Sequence, residues 1–410
     1  MTTIILELTD IAHGGEAVGR HEGKVVFVPF GIPGETVRVE LMEERERYAR
    51  GRLVEIMEPS EHRVSPPCKH FGLCGGCQWQ HMDYDLQLRL KRQIVRDQLE
   101  HIGEQHDPHV LPTMGMNNPW AYRNRVRLRM DEQGRLGYHA FHTHDVVPID
   151  ACFISHPLVD EMWNTLDIEF EGLMDVSLRA GIHTGDRMVV LRGRGETPPE
   201  LMLEMPISCL YVPQEGDPMV LAGRSYYVEG LHGRSFQISG PSFFQVNTLQ
   251  TEHLIDVVDD YLALEPDEEL LDAYCGVGTF ALSLAHQAAQ VTGLESSPWS
   301  VNDAVLNATE EHVGFYQGNV ADVLADVRFS CDALVLDPPR AGCEREALEA
   351  LARCEPLRMV YVSCDPSAFS RDILRLSHLG YELVEVQPVD MFPQTYHVEC
   401  VGLLSRKDKE

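Results

Sequence analysis

Asp272-Ala273-Tyr274-Cys275-Gly276-Val277-Gly278-Thr279-Phe280 follows the strand-like run Glu269–Tyr274, and its two glycines stand where a strand turns tightly into a helix. From about Phe236 onward, further strand-like runs at Gln290–Glu295, Gly314–Gln317, Cys331–Asp337, Leu357–Ser363, Tyr381–Pro388 and His397–Leu404 alternate with helical stretches. This alternation predicts an α/β, doubly wound sheet. In such a sheet a ligand sits beyond the carboxyl ends of the strands, where glycines let the backbone approach it. Glu295 ends the second run 19 residues after Gly276, near the offset at which a carboxylate takes ribose hydroxyls, so an adenosine cofactor is expected. Phe280 and Ala281 occupy the place of the third glycine of the dinucleotide fingerprint, which disfavours NAD.

Upstream the pattern differs. Residues 1–58 hold short strands, Ile4–Leu8, Lys24–Val28, Thr36–Leu41 and Gly51–Met57, separated by glycine and proline turns, as in a small β-barrel. Pro59, Pro66 and Pro67 mark a linker; Asp83 can cap a helix over 83–102 that shows Leu88, Val95, Leu99 and Ile102 on one face and ends at Gly103. Residues from 108 to about 235 read as mixed, mostly β. Three domains are expected: 1–58, 59–235 and 236–410, with the 83–102 helix able to pack on the third.

At 410 residues and 44% hydrophobic the chain can bury more than one core. It opens with no basic stretch leading into an apolar one, and no run approaches a membrane span, so a soluble cytoplasmic protein, taken as a monomer, is expected. Eleven cysteines in such a chain read as ligands, nucleophiles or core residues rather than a disulfide framework. The net charge of −30 opposes nucleic-acid binding by the chain as a whole. The acidity is uneven: 29 Asp/Glu face 10 Lys/Arg from Phe236 on, against 35 and 24 before it. Arg123, Arg125, Arg127 and Arg129 alternate along Tyr122–Met130, which on a strand gives one basic face suited to a polyanion.

Two further stretches carry chemistry. Ser363-Cys364-Asp365-Pro366 ends one strand-like run, and Glu399 lies in Asp390-Met-Phe-Pro-Gln-Thr-Tyr-His-Val-Glu399, so a cysteine and a carboxylate suggest covalent catalysis. A polar strand-end position is expected to raise the thiolate fraction of Cys364. Cys68, Cys74 and Cys77 form a Cys-x5-Cys-x2-Cys group, with Cys152 apart from it. Four soft ligands suit zinc or an iron–sulfur cluster, and the spacing alone does not choose. Cys209, Cys275, Cys331, Cys343, Cys354 and Cys400 read as packing residues.

Ser242–Asn247, the Asp272–Phe280 turn, Asp337-Pro338-Pro339-Arg340, Ser363–Pro366 and Asp390–Glu399 together resemble the RNA uridine-5-methyltransferase family (RumA/TrmA/RlmD-like). The resemblance implies an N-terminal TRAM domain, an OB-like RNA-binding barrel, and a Rossmann-like methyltransferase domain using S-adenosylmethionine (SAM). It implies that Cys364 adds to uracil C6 and that Glu399 removes the C5 proton. It further implies that Gln245, Tyr274, Gly276, Gly278, Thr279, Glu295, Asn319 and Asp337 line the SAM and uracil sites, and that Cys68, Cys74, Cys77 and Cys152 hold a 4Fe-4S cluster. The implied substrate is a uridine in structured RNA, 23S ribosomal RNA ahead of the tRNA T-loop. A noncatalytic RNA-binding or ribosome assembly factor is the rival of another class, and it would need neither Cys364 nor Glu399. A DNA cytosine methyltransferase would carry its nucleophile after a proline on the fourth strand, where this chain has Pro338-Pro339.

Overall fold

A computed structural model of the chain describes residues 2–166, 172–199, 205–327 and 329–407. The N-terminal strands β1 (Thr3–Ile11), β2 (Ala17–His21), β3 (Lys24–Val28), β4 (Thr36–Glu44) and β5 (Tyr48–Glu58) close into a barrel in the order β1-β2-β3-β5-β4. Strict alternation along β1 buries Ile4, Leu6 and Leu8, which meet Val26, Val28, Val37 and Val39 inside.

Helix α1 (Tyr84–His101) follows, and the Asp83 side chain accepts the Leu86 N–H at 2.8 Å as its N-cap. The helix is a wedge with two apolar faces. Leu86, Leu90 and Ile94 complete the barrel core, while Val95 and Leu99 join the core of the C-terminal sheet. This double duty rotates the buried face from the expected one: Ile102 is exposed and Leu88 only half-buried.

The central sheet has seven strands in the order β12-β11-β10-β9-β6-β7-β8. They are β6 (Arg125–Met130), β7 (Leu136–His139), β8 (Val146–Pro148), β9 (Leu173–Ala180), β10 (Arg187–Gly193), β11 (Ser208–Pro213) and β12 (Met219–Ala222), with α2 (Pro157–Thr165) between β8 and β9. Val126, Leu128, Val176, Leu178, Val189 and Leu191 point to one face and pack against Val159 and Met162 of α2. The ribbon β13 (Tyr226–Leu231) and β14 (Arg234–Ser239) buries Tyr227, Leu231, Phe236 and Ile238 with Leu254 and Val258 of α3 (Thr248–Leu262). Position 235, where the sequence pattern changes, therefore lies inside β14, because both strands of the ribbon are needed to cover α3.

The C-terminal sheet is built from β15 (Glu269–Ala273), β16 (Gln290–Glu295), β17 (Val313–Gln317), β18 (Ala333–Leu336), β19 (Arg358–Ser363), β20 (Tyr381–Val389) and β21 (Glu399–Arg406). Its order is β17-β16-β15-β18-β19-β21-β20. Helices α4 (Thr279–Leu284), α5 (Pro298–Asn307), α6 (Val320–Asp326), α7 (Arg345–Ala352) and α8 (Pro366–His378) connect the strands. All neighbours pair in parallel except β21, which runs antiparallel to both β19 and β20. This reversal brings the start of β21 beside the carboxyl ends of the other strands. Among the described residues no helix is long and apolar enough to cross a membrane.

Candidate active site

The sheet's register decides which side chains meet. Ser363 pairs with Cys400, so Cys364 and Glu399 stand one position beyond that pair on adjacent antiparallel strands. Asp337 follows β18, its N–H donating to the Ala273 carbonyl at 3.3 Å. All three open into one cleft of about 1050 Å3, which also receives Gln245, Tyr274, Gly276, Thr279, Glu295 and Asn319. That volume can take a nucleoside cofactor and a base together. Exposed Phe243 stands at the same cleft beside Gln245 and offers an aromatic face.

The turn after β15 has the conformation its glycines permit. Gly276 (φ 56°) and Gly278 (φ 88°) are left-handed, and Gly278 caps α4. Tyr274 is also left-handed, at φ 67°. Glu295 binds the turn directly, accepting from the Gly276 N–H at 3.1 Å and the Ser297 N–H at 2.7 Å. Asn319 caps α6 by accepting the Ala321 N–H at 2.9 Å. Gln245 donates to Asp337 at 3.3 Å.

Carboxylates crowd this end of the sheet. Burial raises the acid of Asp272 to about 8, Asp337 and Glu295 adding to the effect against the Ala281 N–H. Asp337 is raised to about 7, again by burial, while the Gln245 amide pulls it back and Glu295 adds to the rise. Glu399 is held well above the usual carboxylate range by burial and by Asp337, and only Arg340 opposes this. Cys364 departs from its expectation. Burial, with Glu399, Asp337 and Asp365 nearby, pushes the thiol up to about 12, against the opposing attraction of Arg340 for a thiolate. A strand end crowded with carboxylates disfavours a further anion, so this environment favours the neutral thiol of Cys364. Arg340, which carried no assigned role in the sequence, is a cation of this cleft beside Arg123. Its Nη2 lies 3.2 Å from His397 Nδ1, and burial plus Arg340 pushes that imidazole down to about 3.

The raised thiol gives a measurable expectation. Against a free cysteine of pKa about 8.5, carboxamidomethylation of Cys364 at pH 7.5 should be slower by roughly three orders of magnitude. Its rate should still climb about tenfold per pH unit up to pH 9.5, as the thiolate fraction requires. Mass spectrometry of the modified peptide reads both; a rate that levels off below pH 8 would contradict the buried thiol.

The four separate cysteines Cys68, Cys74, Cys77 and Cys152 line a second cavity, of about 180 Å3, together with Phe71, Arg123, Arg127 and Tyr138. Among the described residues no three Cys, His, Asp or Glu side chains converge closely enough for a single ion. A ring of four thiols around a cavity fits a group larger than one zinc ion, as an iron–sulfur cluster is.

The arginine stripe is only partly free. Arg127 and Arg129 both reach buried Asp175 on β9, at 2.7 and 3.3 Å, so two of the four expected cations share one carboxylate there. Arg123 stands before β6 and lines both cavities. Arg125 is largely buried, its register partner being Arg179. No local signal in the sequence marked Asp175 as the counter-ion, since it lies on a different strand.

The TRAM domain family matches residues 2–54, and the tRNA (Uracil-5-)-methyltransferase family matches residues 226–320 and 321–407. A protein of Caldanaerobacter subterraneus described as an uncharacterized RNA methyltransferase is 38% identical, over 98% of this chain and 97% of its own. A protein of Thermosynechococcus vestitus with the same description is 35% identical, over 98% of each. Among solved structures, the Pyrococcus abyssi tRNA (uracil-54, C5)-methyltransferase in complex with S-adenosyl-L-homocysteine is similar over 98% of this chain and 100% of that one, with a TM-score of 0.78 and 25% identity.

Proposed function

The chain belongs to the SAM-dependent RNA (uracil-5-)-methyltransferase family, and on that premise we propose that it methylates C5 of a uridine in structured RNA through a covalent Cys364 adduct. The observation that carries this reading is the meeting of Cys364 and Glu399, on adjacent antiparallel strands, in the cleft that the Gly276–Gly278 turn enters.

C5 of uracil is a poor nucleophile. The Cys364 thiol first gives its proton to ionised Asp337, which lines the same cleft and returns it when the sulfur leaves; attack of the sulfur on C6 then pushes electrons onto C5 and the O4 enolate, making C5 nucleophilic. SAM, when bound, supplies an electrophilic methyl group on a sulfonium. Gln245, Tyr274, Gly276, Gly278, Thr279, Glu295, Asn319 and Asp337 are assigned to binding around that cleft, with Asp337 and Gln245 at its base-facing end. Glu399 then takes the C5 proton, the electron pair reforms the C5–C6 double bond, and the sulfur leaves C6. For this Glu399 must itself be ionised. Asp337, whose acid lies near 7, shares its surroundings and can exchange that proton, while Arg340 favours the Glu399 anion.

The ring of Cys68, Cys74, Cys77 and Cys152 is assigned to a 4Fe-4S cluster, tying the segment before α1 to the central sheet. A structural or RNA-positioning role suffices, since methyl transfer requires no electron. Anaerobically purified protein is expected to contain iron and acid-labile sulfide, both lost when Cys77 is replaced by Ser; stoichiometric zinc without iron would reject the assignment.

The substrate is placed in large-subunit ribosomal RNA, with transfer RNA as the second reading because the similar Pyrococcus enzyme is a tRNA (uracil-54, C5)-methyltransferase. Of the four arginines, Arg123, which lines both cavities, is assigned to RNA contact, while Arg127 and Arg129 are held by Asp175 and Arg125 is largely buried. The target base has to leave its stack to reach Cys364, which favours a loop nucleotide. Mapping 5-methyluridine in RNA from a strain lacking this protein decides between the two. A site lost from ribosomal RNA supports the first reading, one lost from transfer RNA the second, and no lost site in either sinks both.

A further inference from the structure

Arg340 is exposed, and so are its neighbours Pro339 and Ala341, so its place at the cleft depends on what holds the backbone of this segment. That hold comes from α8. The segment turns where the Gly342 N–H donates to the Pro339 carbonyl at 2.8 Å, with Gly342 at φ 76°. Just beyond the turn, the Cys343 N–H donates to Asp372 Oδ2 at 2.8 Å. Arg371 Nη2 donates to the Ala341 carbonyl at 2.8 Å, and Arg375 Nη1 to the Cys343 carbonyl at 3.3 Å. A Cβ on Gly342 would collide with both Arg371 Nη2 and Asp372 Oδ2, so the turn is seated directly on these two groups.

Asp372 is the centre of this junction. Its side chain is fully buried and accepts from Arg371 Nε at 2.9 Å, Arg375 Nη1 at 3.1 Å and the Tyr361 hydroxyl at 2.8 Å, besides the Cys343 N–H. Charge-assisted bonds in a buried network fix every member of it, so the two guanidinium groups are held with donors left over for the carbonyls of 341 and 343. The same helix starts at the proposed nucleophile. Asp365, the residue after Cys364, caps α8 by accepting from the Ser367 and Ala368 N–H groups at 3.0 and 2.9 Å. Tyr361 stands on β19, the strand that ends at Cys364. The helix therefore joins the strand end that bears the sulfur to the backbone from which Arg340 extends. Cys364 has Glu399, Asp337 and Asp365 around it as anions and Arg340 as the opposing cation, so moving that guanidinium changes the balance at the sulfur.

We propose that Asp372 is a positioning residue for the methyl-transfer site: through the backbone of 341–343 it sets the Arg340 guanidinium against Cys364 and Glu399. Asp372 does not line the cleft and touches no reacting atom. Its bonds to the Cys343 N–H and, through Arg371, to the Ala341 carbonyl give it this role, since a carboxylate that only stabilised α8 would need neither. The catalytic meaning of that placement rests on the reading of Cys364 as the nucleophile of an RNA uracil methyltransferase.

The test is the rate of carboxamidomethylation of Cys364 in the full-length chain at pH 8.5, for Arg340→Gln, Asp372→Asn and the double variant. Loss of the Arg340 cation should slow it about three- to tenfold, since one pKa unit removes most of the thiolate and the more basic sulfur regains part of the rate. Asp372→Asn should slow it by a similar factor. The double variant should be no slower than Arg340→Gln alone, because Asp372 acts through that guanidinium. Gly342→Ala pushes the turn off an intact carboxylate and should reproduce the loss; if Asp372→Asn does not fold, Gly342→Ala and its double with Arg340→Gln carry the same comparison. Ile373→Val, a buried change on the same helix that costs stability without touching the junction, should leave the rate near its original value. An unchanged or faster rate in Asp372→Asn, or in Gly342→Ala where that variant replaces it, overturns the proposal. So do losses that multiply in the double variant, or an equal loss in Ile373→Val. Covalent capture of 5-fluorouridine RNA by the unaltered chain reads the methyltransferase assignment separately. A chain that shows these rate ratios but captures nothing keeps the placement of Arg340 and loses that assignment, and the converse result loses only the positioning role.

Discussion

Cys364→Ala is expected to abolish covalent capture of 5-fluorouridine RNA and to lower methylation by at least about four orders of magnitude, because no other group on this sheet can make C5 nucleophilic. Fluorine at C5 cannot leave as a proton does, so the normal enzyme should stall after methyl transfer and form a band that survives denaturing electrophoresis. The nearest alternative thiol, Cys400, is fully buried and pairs with Ser363 across the strands, one step back from the cleft. Capture that persists undiminished in Cys364→Ala would remove Cys364 from the reaction. Glu399→Gln separates the two halves of the proposal. With ordinary RNA and SAM it should accumulate the methylated adduct, since the sulfur can attack but the C5 proton stays, and turnover should fall by about 10²–10⁴. A Glu399→Gln protein that turns over normally would place the base elsewhere, with Asp337 the next candidate.

The features legible in the sequence are those that depend on short spacings. The Gly276–Gly278 turn and the Asp83 cap each follow from a few adjacent residues, and each has its expected geometry. The rise of the Cys364 thiol has no local signal, because burial and the carboxylates Glu399 and Asp337, which arrive from other strands, outweigh the polarity of Ser-Cys-Asp-Pro and the opposing pull of Arg340. The hold of Asp175 on Arg127 and Arg129 is hidden for the same reason, since it lies on β9. The helix after the linker was recognisable by its cap and period, and Val95 and Leu99 of its expected face are buried, but its second apolar face was not. Packing against two bodies at once turned Leu86, Leu90 and Ile94 to the barrel and left Ile102 exposed. The approach of the barrel turn to the C-terminal sheet, His13 to Asp365 and Gly15 to Tyr396, has no sequence signal at all, since those partners lie more than 300 residues away.

Lys91→Met is expected to destabilise the protein by about 3–5 kcal/mol, the range for removing one partner of a buried ion pair. Lys91 sits mid-helix on α1, fully buried, with its ammonium on the carboxylate of equally buried Asp390 and 3.1 Å from the Phe392 carbonyl. Tyr84 donates its hydroxyl to the other Asp390 oxygen at 2.7 Å. Without the cation, Asp390 is left buried as an anion held by one hydroxyl or must take up a proton. The same helix grips the next turn of that loop, where Gln87 exchanges two hydrogen bonds of 3.1 Å with Gln394, a residue held at φ 71°. Tyr122 donates to the Pro393 carbonyl at 3.0 Å from the central sheet. These contacts fix the 390–395 segment from which the chain runs into Glu399. Loss of Lys91 should therefore lower turnover as well as stability, while cofactor affinity, here assigned to the Gly276 turn three strands away in the sheet, is expected to stay near its original value. Denaturant unfolding of Lys91→Met, Asp390→Asn and the double variant measures the pair: the double variant should be more stable than Lys91→Met, because no buried charge is then left alone. Strictly additive losses would mean that the two side chains stabilise the fold independently, and that the loop is held by Gln87 and Tyr122 instead.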